Sequence, residues 1–275
     1  NIHVTLLPYI KTAGEVKTKP TQHSVQKLRE IGLQPDIILA RHDHPLEPTT
    51  RDKLSLFCNV PKDCVIAAPD VDCIYDLPEL LHGAGLDDRI VELMGIWSRE
   101  PELAAWQQFA RVFKNATHRV RIGIVGKYVE LTESYKSLHE ALVHGGVANE
   151  CKVDLVYLDA EELERDGAAS QLEGVQGVLV PGGFGDRGAE GKILAVRWAR
   201  ENNVPFFGIC LGMQIAVIEA ARHLCDLPAA HSTEFVEDTV HPVIHLMPDQ
   251  RGITDKGATM RLGSYPCNLK RGSLA

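Results

Sequence analysis

The sequence predicts an α/β protein made of two doubly wound domains, each with a mostly parallel sheet. Three observations support this fold class. Short apolar runs rich in strand-forming residues alternate with segments of helical periodicity, as expected when crossover helices join parallel strands. The alternation occurs in two successive cycles, which a charge-mixed helical tract over residues 80–113 separates. The length of 275 residues, 44% of them hydrophobic, suits about two domains with separate cores.

The first cycle opens with strand-like sequence over residues 1–7. The apolar spacing from Val25 to Ile31 predicts a helix that begins with Thr21 as its N-cap and ends at Gly32. A short buried strand is also predicted at residues 35–41, and residues 55–60 fit a strand or a helix end. Residues 65–68 and 74–77 continue the α/β alternation.

The second cycle begins at residue 120 and has a clearer periodicity. Its predicted strands are residues 120–125, 153–158, 177–180 and 204–209, and its predicted helices are residues 134–144, 188–200 and 211–223. We predict one domain over residues 1–100, a linker over 101–118 and a second domain over 119–275. In such folds, ligands bind at the carboxyl ends of the strands.

The composition excludes several functional classes. A formal net charge of −8 argues against non-specific nucleic-acid binding. The longest apolar run, around Cys210, is interrupted by proline and glycine, so we expect no membrane span. The seven cysteines are odd in number and scattered, without C-x-x-C or zinc-like spacing, so we expect reduced thiols, a cytoplasmic protein and no metal site in this chain.

The most informative stretch is Gly-Ile-Cys-Leu-Gly at residues 208–212, between a strand-like run and a helical pattern. Small residues on both sides of a nucleophile permit the sharp strand-to-helix turn called a nucleophile elbow. The helix that follows directs N–H groups toward Cys210, and a helix N-terminus favours the thiolate form of cysteine. A lone cysteine is more often buried and structural. The two bracketing glycines favour a catalytic nucleophile here.

A glycine-rich loop, Pro-Gly-Gly-Phe-Gly at residues 181–185, follows the preceding predicted strand. Its glycines let backbone N–H groups approach a ligand closely, as an oxyanion hole requires. The loop alone is typical of an ordinary turn, whereas beside the elbow it favours oxyanion stabilisation. The segment from Gly185 to Lys192 superficially resembles a P-loop, but its spacing is wrong and Ile193 replaces the required Ser or Thr.

Basic residues precede the helix of the first cycle. Lys17 and Lys19 alternate with hydroxyl residues just before the predicted helix N-terminus, and Lys53 is a third candidate cation. Ammonium groups beside the free N–H groups of a helix N-terminus form a phosphate-binding arrangement. The same pattern also fits a solvated loop, so the residues alone leave both interpretations open.

Several motifs together resemble a known family. Cys210 within Gly-Ile-Cys-Leu-Gly-Met-Gln, with Pro-Gly-Gly-Phe-Gly upstream, is similar to the class I glutamine amidotransferases. Lys-Thr-Lys-Pro-Thr-Gln at residues 17–22, Ser-Thr-Glu-Phe at 232–235 and Thr-Met-Arg-Leu-Gly at 259–263 narrow the resemblance to the CTP synthase family. The resemblance extends over essentially the whole chain.

This resemblance implies a two-site ligase. Residues 1–100 would be the C-terminal part of a synthetase (amidoligase) domain, and residues 119–275 would be a glutamine amidotransferase domain that lacks its C-terminal part. Glutamine would be hydrolysed at Cys210, and ammonia would pass through a tunnel to the synthetase domain. There it would aminate UTP to CTP in an ATP-dependent reaction, the last step of de novo CTP synthesis.

The resemblance also assigns residues to ligands by their positions in the motifs. Oxyanion stabilisation and glutamine binding would involve Gly182, Gly183, Leu211, Gly212, Met213, Gln214 and Glu234. UTP, or CTP as feedback inhibitor, would contact Lys17, Thr18, Lys19, Pro20, Thr21, Gln22 and Lys53. The GTP and lid region would include Phe184, Arg187, Thr259 and Arg261. Glu234 suits its role because a carboxylate pairs with the α-ammonium group of glutamine.

Further implications concern cofactors, assembly and completeness. The family uses ATP and Mg²⁺, and we expect the residues that bind them in an N-terminal part outside this chain. GTP is the allosteric activator of the family, and its members form homotetramers. It supplies its general base from a His-x-Glu pattern downstream of the nucleophile. None of His223, His231, His241 and His245 begins such a pattern. We therefore expect the chain to be the central part of a longer enzyme.

Two alternative functions stay open at this stage. The glutaminase portion of another synthetase, such as GMP synthase, would share the elbow and the glycine loop, although the lysine-rich residues 17–22 argue against it. A non-catalytic nucleotide-binding scaffold would keep the fold without the chemistry. A His-x-Glu pattern and a P-loop in the full-length protein would exclude the scaffold.

Overall fold

The computed structural model describes residues 1–127, 135–245, 264 and 266–273. The chain divides into two compact units, Asn1–Ala116 and Thr117–Ala275. The domain and linker limits given above stay a prediction. Among the described residues, no helix combines the length and the apolar character needed to cross a lipid bilayer.

A three-stranded parallel sheet forms the centre of the first unit, with strand order β1-β4-β5. The strands are β1 (Ile2–Leu6), β4 (Ile37–His42) and β5 (Val65–Pro69), and a small antiparallel hairpin contains β2 (Tyr9–Ile10) and β3 (Glu15–Val16). The helices are α1 (Lys19–Glu30), α2 (Pro48–Cys58), α3 (Leu77–Gly83), α4 (Leu86–Met94) and α5 (Ala104–Asn115). The parallel α/β arrangement predicted for this half is confirmed.

The core of this unit forms where apolar residues of β4 meet the flanking helices. Ile37 and Ile38 point to opposite faces of the sheet, yet neither is more than 1% exposed. Burial on both faces is typical of a central strand in a parallel sheet. Val25 of α1 and Leu54 of α2 belong to the same buried cluster. This packing fixes the loops that follow β4 and β5.

The start of α1 differs from the prediction. Thr21 is not the N-cap, because α1 begins at Lys19 and the N-cap residue is Thr18. Thr21 is fully buried inside the helix, with its Oγ1 3.0 Å from Oγ1 of Thr5. Pro20 in the first turn explains the earlier start, since proline has no N–H to leave unpaired there and its φ angle suits a helix.

Two apolar segments of the first unit, residues 55–60 and 74–77, form no strand. Residues 55–60 contain the end of α2, whose last helical residue is Cys58, and not a strand. Asn59 follows in the left-handed conformation that commonly ends helices. Residues Ile74–Asp76 form a short 3₁₀ turn that leads into α3, so this apolar stretch adds no strand to the sheet.

The second unit is built on a four-stranded parallel sheet with strand order β7-β6-β8-β9. These strands are β6 (His118–Gly126), β7 (Cys151–Asp159), β8 (Gly177–Val180) and β9 (Phe206–Gly208). The helices are α6 (Lys136–Ala148), α7 (Ala160–Asp166), α8 (Ala168–Leu172), α9 (Ala189–Glu201) and α10 (Leu211–Leu224). A separate parallel pair contains β10 (Ala230–Ser232) and β11 (His241–Ile244).

Every strand and helix predicted for this half is present, with ends shifted by a few residues. The doubly wound prediction is confirmed, because strands lie on both sides of β6 and all pairs are parallel. The sequence did not predict α7 and α8, which are too short to show a helical period. Asp159 marks the start of α7, since its Oδ1 accepts the N–H of Glu161 at 2.7 Å.

A buried ion pair joins α9 to α10, the helix that follows Cys210. The side chain of Glu219 is 2% exposed, and its Oε1 lies 2.7 Å from Nη2 of Arg200. Nε of Arg200 also donates to both carboxylate oxygens, at 3.1 and 3.2 Å. Nδ1 of His223 lies 3.2 Å from the same carboxylate. A buried carboxylate needs such partners, because it is costly to bury without them.

Arg200→Met is expected to lower the free energy of unfolding clearly more than the control below, because it removes the guanidinium partner of a carboxylate that is only 2% exposed. Denaturant unfolding followed by circular dichroism measures the change. Arg197→Met is the matched control: its exposed pair with Glu201 on α9 should contribute at most about 0.5 kcal/mol. Equal losses in the two variants would contradict this account of the pair.

Candidate active site

Cys210 occupies a strained turn between β9 and α10. Its backbone has φ 52° and ψ −106°, and it is the N-cap residue of α10. A non-glycine residue rarely adopts positive φ, and such strain persists where the surrounding structure imposes it, often at functional sites. Cys210 is also exposed. The predicted elbow geometry is therefore present, with the thiol accessible at a helix N-terminus.

The two glycines that bracket Cys210 are sterically required. A Cβ atom on Gly208 would clash with the backbone of Gly212, and a Cβ atom on Gly212 would clash with the carbonyl oxygen of Val180 in β8. The same carbonyl accepts the N–H of Ile209 at 3.0 Å. The absence of side chains thus lets the start of α10 lie directly against β8.

The glycine-rich loop lies beside the elbow. It follows β8, the sheet neighbour of β9, so both segments leave the carboxyl edge of the sheet. A Cβ atom on Gly182 would lie 3.5 Å from Cβ of Cys210, and one on Gly183 would lie 3.5 Å from Cδ2 of Leu211. The structure therefore brings the glycine-rich loop next to Cys210 and Leu211.

Glu234 is connected to this loop by a hydrogen bond across 49 residues of sequence. Its Oε1 accepts the N–H of Gly185 at 3.2 Å. The N–H of Glu234 donates to Oγ of Ser232 at 3.1 Å, and Ser232 is only 1% exposed. The carboxylate is thereby held next to the glycine-rich loop that also approaches Cys210.

Arg187 and Phe184 extend the same loop away from Cys210. Arg187 forms a two-pronged ion pair with Glu161 of α7, in which Nη2 lies 2.9 Å from Oε2. This guanidinium lowers the pKa of the Glu161 carboxyl group. The phenyl ring of Phe184 is exposed. The other two residues predicted for the GTP and lid region, Thr259 and Arg261, lie outside the described residues.

A buried lysine lies beneath this loop. Lys192 in α9 is 4% exposed, and its Nζ donates to the carbonyl oxygen of Arg187 at 3.4 Å. Burial lowers the pKa of Lys192, and the nearby Lys127 lowers it further. The excluded P-loop interpretation assigned this lysine to phosphate. In the structure, its ammonium group supports the loop backbone instead.

Two of the predicted phosphate-binding lysines, Lys17 and Lys53, lie near Glu15, shortly before α1. Lys17 forms an ion pair with Glu15. The pairing with Lys17 lowers the pKa of the Glu15 carboxyl group. The charge of Lys53 in α2 lowers it further. Gln22 donates from Nε2 to Oγ1 of Thr18 at 3.1 Å across the first turn. The structure thus places Lys17 and Lys53 near one carboxylate, beside a helix N-terminus.

An apolar cavity in the first unit was not predicted. It has a volume of about 600 Å³ and is lined by Leu39, Arg41, Ala68, Pro69, Asp70, Val71, Ile74, Leu77 and Leu81. It lies at the carboxyl ends of β4 and β5, where open parallel sheets bind ligands. Nη2 of Arg41 lies 2.7 Å from Oδ1 of Asp70 at this edge. The sequence feature that could have predicted this cavity is a charged residue at the end of each buried strand, Arg41 near the end of β4 and Asp70 just after β5.

Residues 130–274 match the family described as "Glutamine amidotransferase class-I". The chain belongs to this family. Residues 1–96 match a second description, "CTP synthase N-terminus". The elbow and the glycine-rich loop lie within the amidotransferase match, and the lysine-rich start of α1 lies within the other. The resemblance found in the motifs is therefore confirmed.

Curated relatives match this chain along its whole length. A "CTP synthase" from Syntrophus aciditrophicus is 58% identical over 274 residues, and one from Geotalea uraniireducens is 56% identical over 275 residues. These comparisons cover 100% of this chain, but 51% and 52% of the two relatives. The chain thus spans about half the length of the curated relatives that it matches.

Among solved structures, one that is similar to part of this chain is a glutaminase domain. It is the glutaminase domain of Trypanosoma brucei CTPS with bound acivicin, which is 42% identical. The comparison covers 48% of this chain and 52% of that chain, with a TM-score of 0.45.

Two of the histidines that follow Cys210 in the sequence, His223 and His231, have carboxylate partners. His223 contacts Glu219, and Nε2 of His231 lies 3.5 Å from Oε1 of Glu190. Within the described ranges, no histidine side chain forms a hydrogen bond with Cys210. Those ranges also contain no group of three or more His, Cys, Asp or Glu side chains that could hold a metal ion.

Proposed function

We propose that this chain contributes residues to both active sites of a CTP synthase, in which glutamine supplies the ammonia for ATP-dependent amination of UTP. The observation that carries the proposal is the Cys210 elbow beside the glycine-rich loop. The match of residues 1–96 to a CTP synthase N-terminus supports the choice of synthetase over a glutaminase that serves another enzyme.

The glutaminase step begins with the Cys210 thiolate. Its sulfur attacks the carboxamide carbon of glutamine, forming a tetrahedral intermediate whose oxyanion accepts N–H groups from Gly183 and Leu211. The C–N bond then breaks, ammonia leaves after gaining a proton, and a glutamyl thioester remains. Water attacks the thioester and releases glutamate and the thiol. The proton transfers need a general base, and we assign none of the described histidines to that role.

Glutamine is oriented by its amino-acid end. We assign the α-ammonium group to Glu234, whose carboxylate lies against the loop at Gly185. The start of α10, from Leu211 to Gln214, lines the rest of the glutamine site, where the N–H groups of a helix N-terminus are available to the ligand. The substrate would thus lie between the glycine-rich loop and the elbow.

The synthetase half binds nucleotides in the first unit. We assign the triphosphate of UTP, or of CTP as feedback inhibitor, to residues 17–22 and Lys53, because lysines at a helix N-terminus combine charge with directed N–H groups. The cavity beside Arg41 and Asp70 accepts a nucleotide base, since its apolar lining suits a planar ring and its polar edge can orient one. ATP and Mg²⁺ would activate the uracil oxygen, and the described residues offer no acidic cluster for the metal ion.

Regulation and assembly complete the proposal. GTP would act as an activator near Phe184 and Arg187, at the outer end of the glycine-rich loop. The exposed ion pair between Arg187 and Glu161 could exchange for a pair with a phosphate group. We also infer a homotetramer in the cytoplasm, by analogy with the family.

The test is CTP formation by the full-length protein, measured by chromatography with UTP, ATP, Mg²⁺ and glutamine. We expect CTP to form only when ATP is present, with one glutamate released for each CTP. Free ammonium should replace glutamine. Release of glutamate without CTP formation, together with no binding of UTP, would overturn the proposal in favour of a glutaminase that serves a different synthetase.

Lys17→Ala is expected to weaken UTP binding about tenfold, because it removes one charge-assisted contact to phosphate. Isothermal titration calorimetry measures the dissociation constant. The loss should shrink at high salt, as screening weakens the wild-type contact. Lys27→Ala is the matched control, since Lys27 is exposed in the last turn of α1 and pairs with Glu30. An equal loss in both variants would contradict a specific phosphate site.

A further inference from the structure

A cluster of polar side chains connects α9, α10 and β10 away from the Cys210 elbow. Its members are Arg222 in α10, Glu190 in the first turn of α9 and His231 in β10, and we call it the Arg222 clamp. The side chains of Arg222 and His231 are only 14% and 15% exposed. Nη1 of Arg222 donates to Oε2 of Glu190 at 2.8 Å. The proposed chemistry uses none of these groups.

Arg222 also holds the backbone of β10. Its Nε donates to the carbonyl oxygen of Ala230 at 2.8 Å. One guanidinium group therefore joins a strand and a carboxylate on another helix, which its rigid fork of donors permits. Because the Arg222 side chain is largely buried, we expect these two contacts to constrain β10 more firmly than an ion pair between two exposed side chains would.

His231 extends the clamp toward the glutamine site. Its Nδ1 accepts the N–H of Ser232 at 3.0 Å, so the ring proton lies on Nε2, which faces Glu190. Burial lowers the pKa of His231 and the Arg222 guanidinium lowers it further, against an opposing effect of Glu190. The ring packs edge-on against Phe235, with centroids 5.7 Å apart.

Further hydrogen bonds connect Ser232 to Glu234, the predicted glutamine-binding residue. Oγ of Ser232 accepts the N–H of Glu234 at 3.1 Å. Oε1 of Glu234 in turn accepts the N–H of Gly185 in the glycine-rich loop at 3.2 Å. The clamp therefore fixes one end of the segment that carries Glu234, and the glycine-rich loop contacts its other end.

We propose that Arg222 and His231 are positioning residues for glutamine, which hold residues 232–234 in register with the helix that begins at Cys210. This inference rests on the proposed glutaminase function. Arg222 follows Cys210 by 12 residues, roughly 18 Å along the helix axis, so it acts through Glu234 and not on the reacting carboxamide. The clamp thus controls capture of the amino-acid end of the substrate and leaves thiol reactivity unchanged.

The experiment compares two reagents that alkylate the Cys210 thiol. One is a glutamine analogue with a diazoketone in place of the carboxamide, which needs the amino-acid site, and the other is iodoacetamide, which does not. Arg222→Met should lower the second-order rate constant for the analogue about tenfold. The rate constant for iodoacetamide should stay within about twofold of the parent value. Arg197→Met, an arginine change on the exposed face of α9, should alter neither rate.

Variants of His231 keep the inference falsifiable if Arg222→Met does not fold. His231→Leu removes the acceptor for the Ser232 N–H and should slow the analogue selectively, whereas His231→Asn supplies an amide oxygen and should restore most of the rate. Equal slowing of both reagents, or no rescue by asparagine, would overturn the positioning role.

Protection by glutamine distinguishes failure of the proposed glutaminase function from failure of the Arg222 clamp. If glutamine does not protect the parent protein from the analogue, the proposed glutaminase function fails, and the role of the clamp fails with it. If glutamine protects the parent protein but folded Arg222→Met reacts with the analogue at the parent rate, only the clamp fails.

Discussion

Replacing Cys210 with serine is expected to reduce glutamine hydrolysis by at least about a thousandfold, because a hydroxyl oxygen is a much weaker nucleophile than sulfur and loses its proton far less readily. Serine is similar in size, and Cys210 is exposed, so folding should be unaffected. Glutamate release by the full-length protein measures the effect. Adding ammonium directly should restore CTP formation, since the synthetase half is unchanged.

Cys225→Ser is the control for this substitution. Cys225 is also exposed and lies at the C-terminal end of α10, the same helix that Cys210 begins. It should keep full activity. Retention of more than about a tenth of the glutaminase activity in Cys210→Ser would show that a different group attacks glutamine.

Gly212→Ala is expected to have the second largest effect, because its methyl group would overlap the carbonyl oxygen of Val180. Neither atom can move freely, since one lies in the first turn of α10 and the other in β8. We expect a loss of about 3 kcal/mol in the free energy of unfolding, and a melting temperature lower by roughly 6–12 °C. In the protein that still folds, displacement of Cys210 by about 1 Å should slow glutamine hydrolysis about a hundredfold.

Gly145→Ala is the matched control for Gly212→Ala. Gly145 lies in α6, where an added Cβ atom would meet no other atom within 4 Å. Alanine is the better helix former, so this change should stabilise the protein by up to about 1 kcal/mol. Differential scanning calorimetry compares the two variants. A Gly212→Ala protein with parental stability and activity would contradict the close packing of the elbow against β8.

The elbow and both sheets could be predicted because their signals are local. Glycines two residues before and after Cys210 mark a turn that excludes side chains, and the structure shows the two clashes that they avoid. The strands of the second unit are buried apolar runs, such as residues 177–180, whose four residues are all buried. Features of this kind depend on neighbouring residues, so the sequence pattern predicts them.

Features that depend on distant pairing could not be predicted. Gly185 and Glu234 are 49 residues apart, and nothing near either residue indicates that they form a hydrogen bond. Arg222 and Glu190 are 32 residues apart and similarly unmarked. The N-cap prediction at Thr21 failed for a different reason. The proline before it favours the first turn of a helix, so Thr21 lies inside α1, where tertiary packing buries it.

Peptide mass spectrometry after reaction with the diazoketone analogue of glutamine tests the central claim most directly. Three cysteines, Cys210, Cys225 and Cys267, are exposed, so the protein contains its own controls. The account predicts modification at Cys210 alone, and glutamine in excess should prevent it. Modification spread over all three exposed cysteines, or modification of Cys210 that glutamine does not slow, would contradict a glutamine site at the elbow.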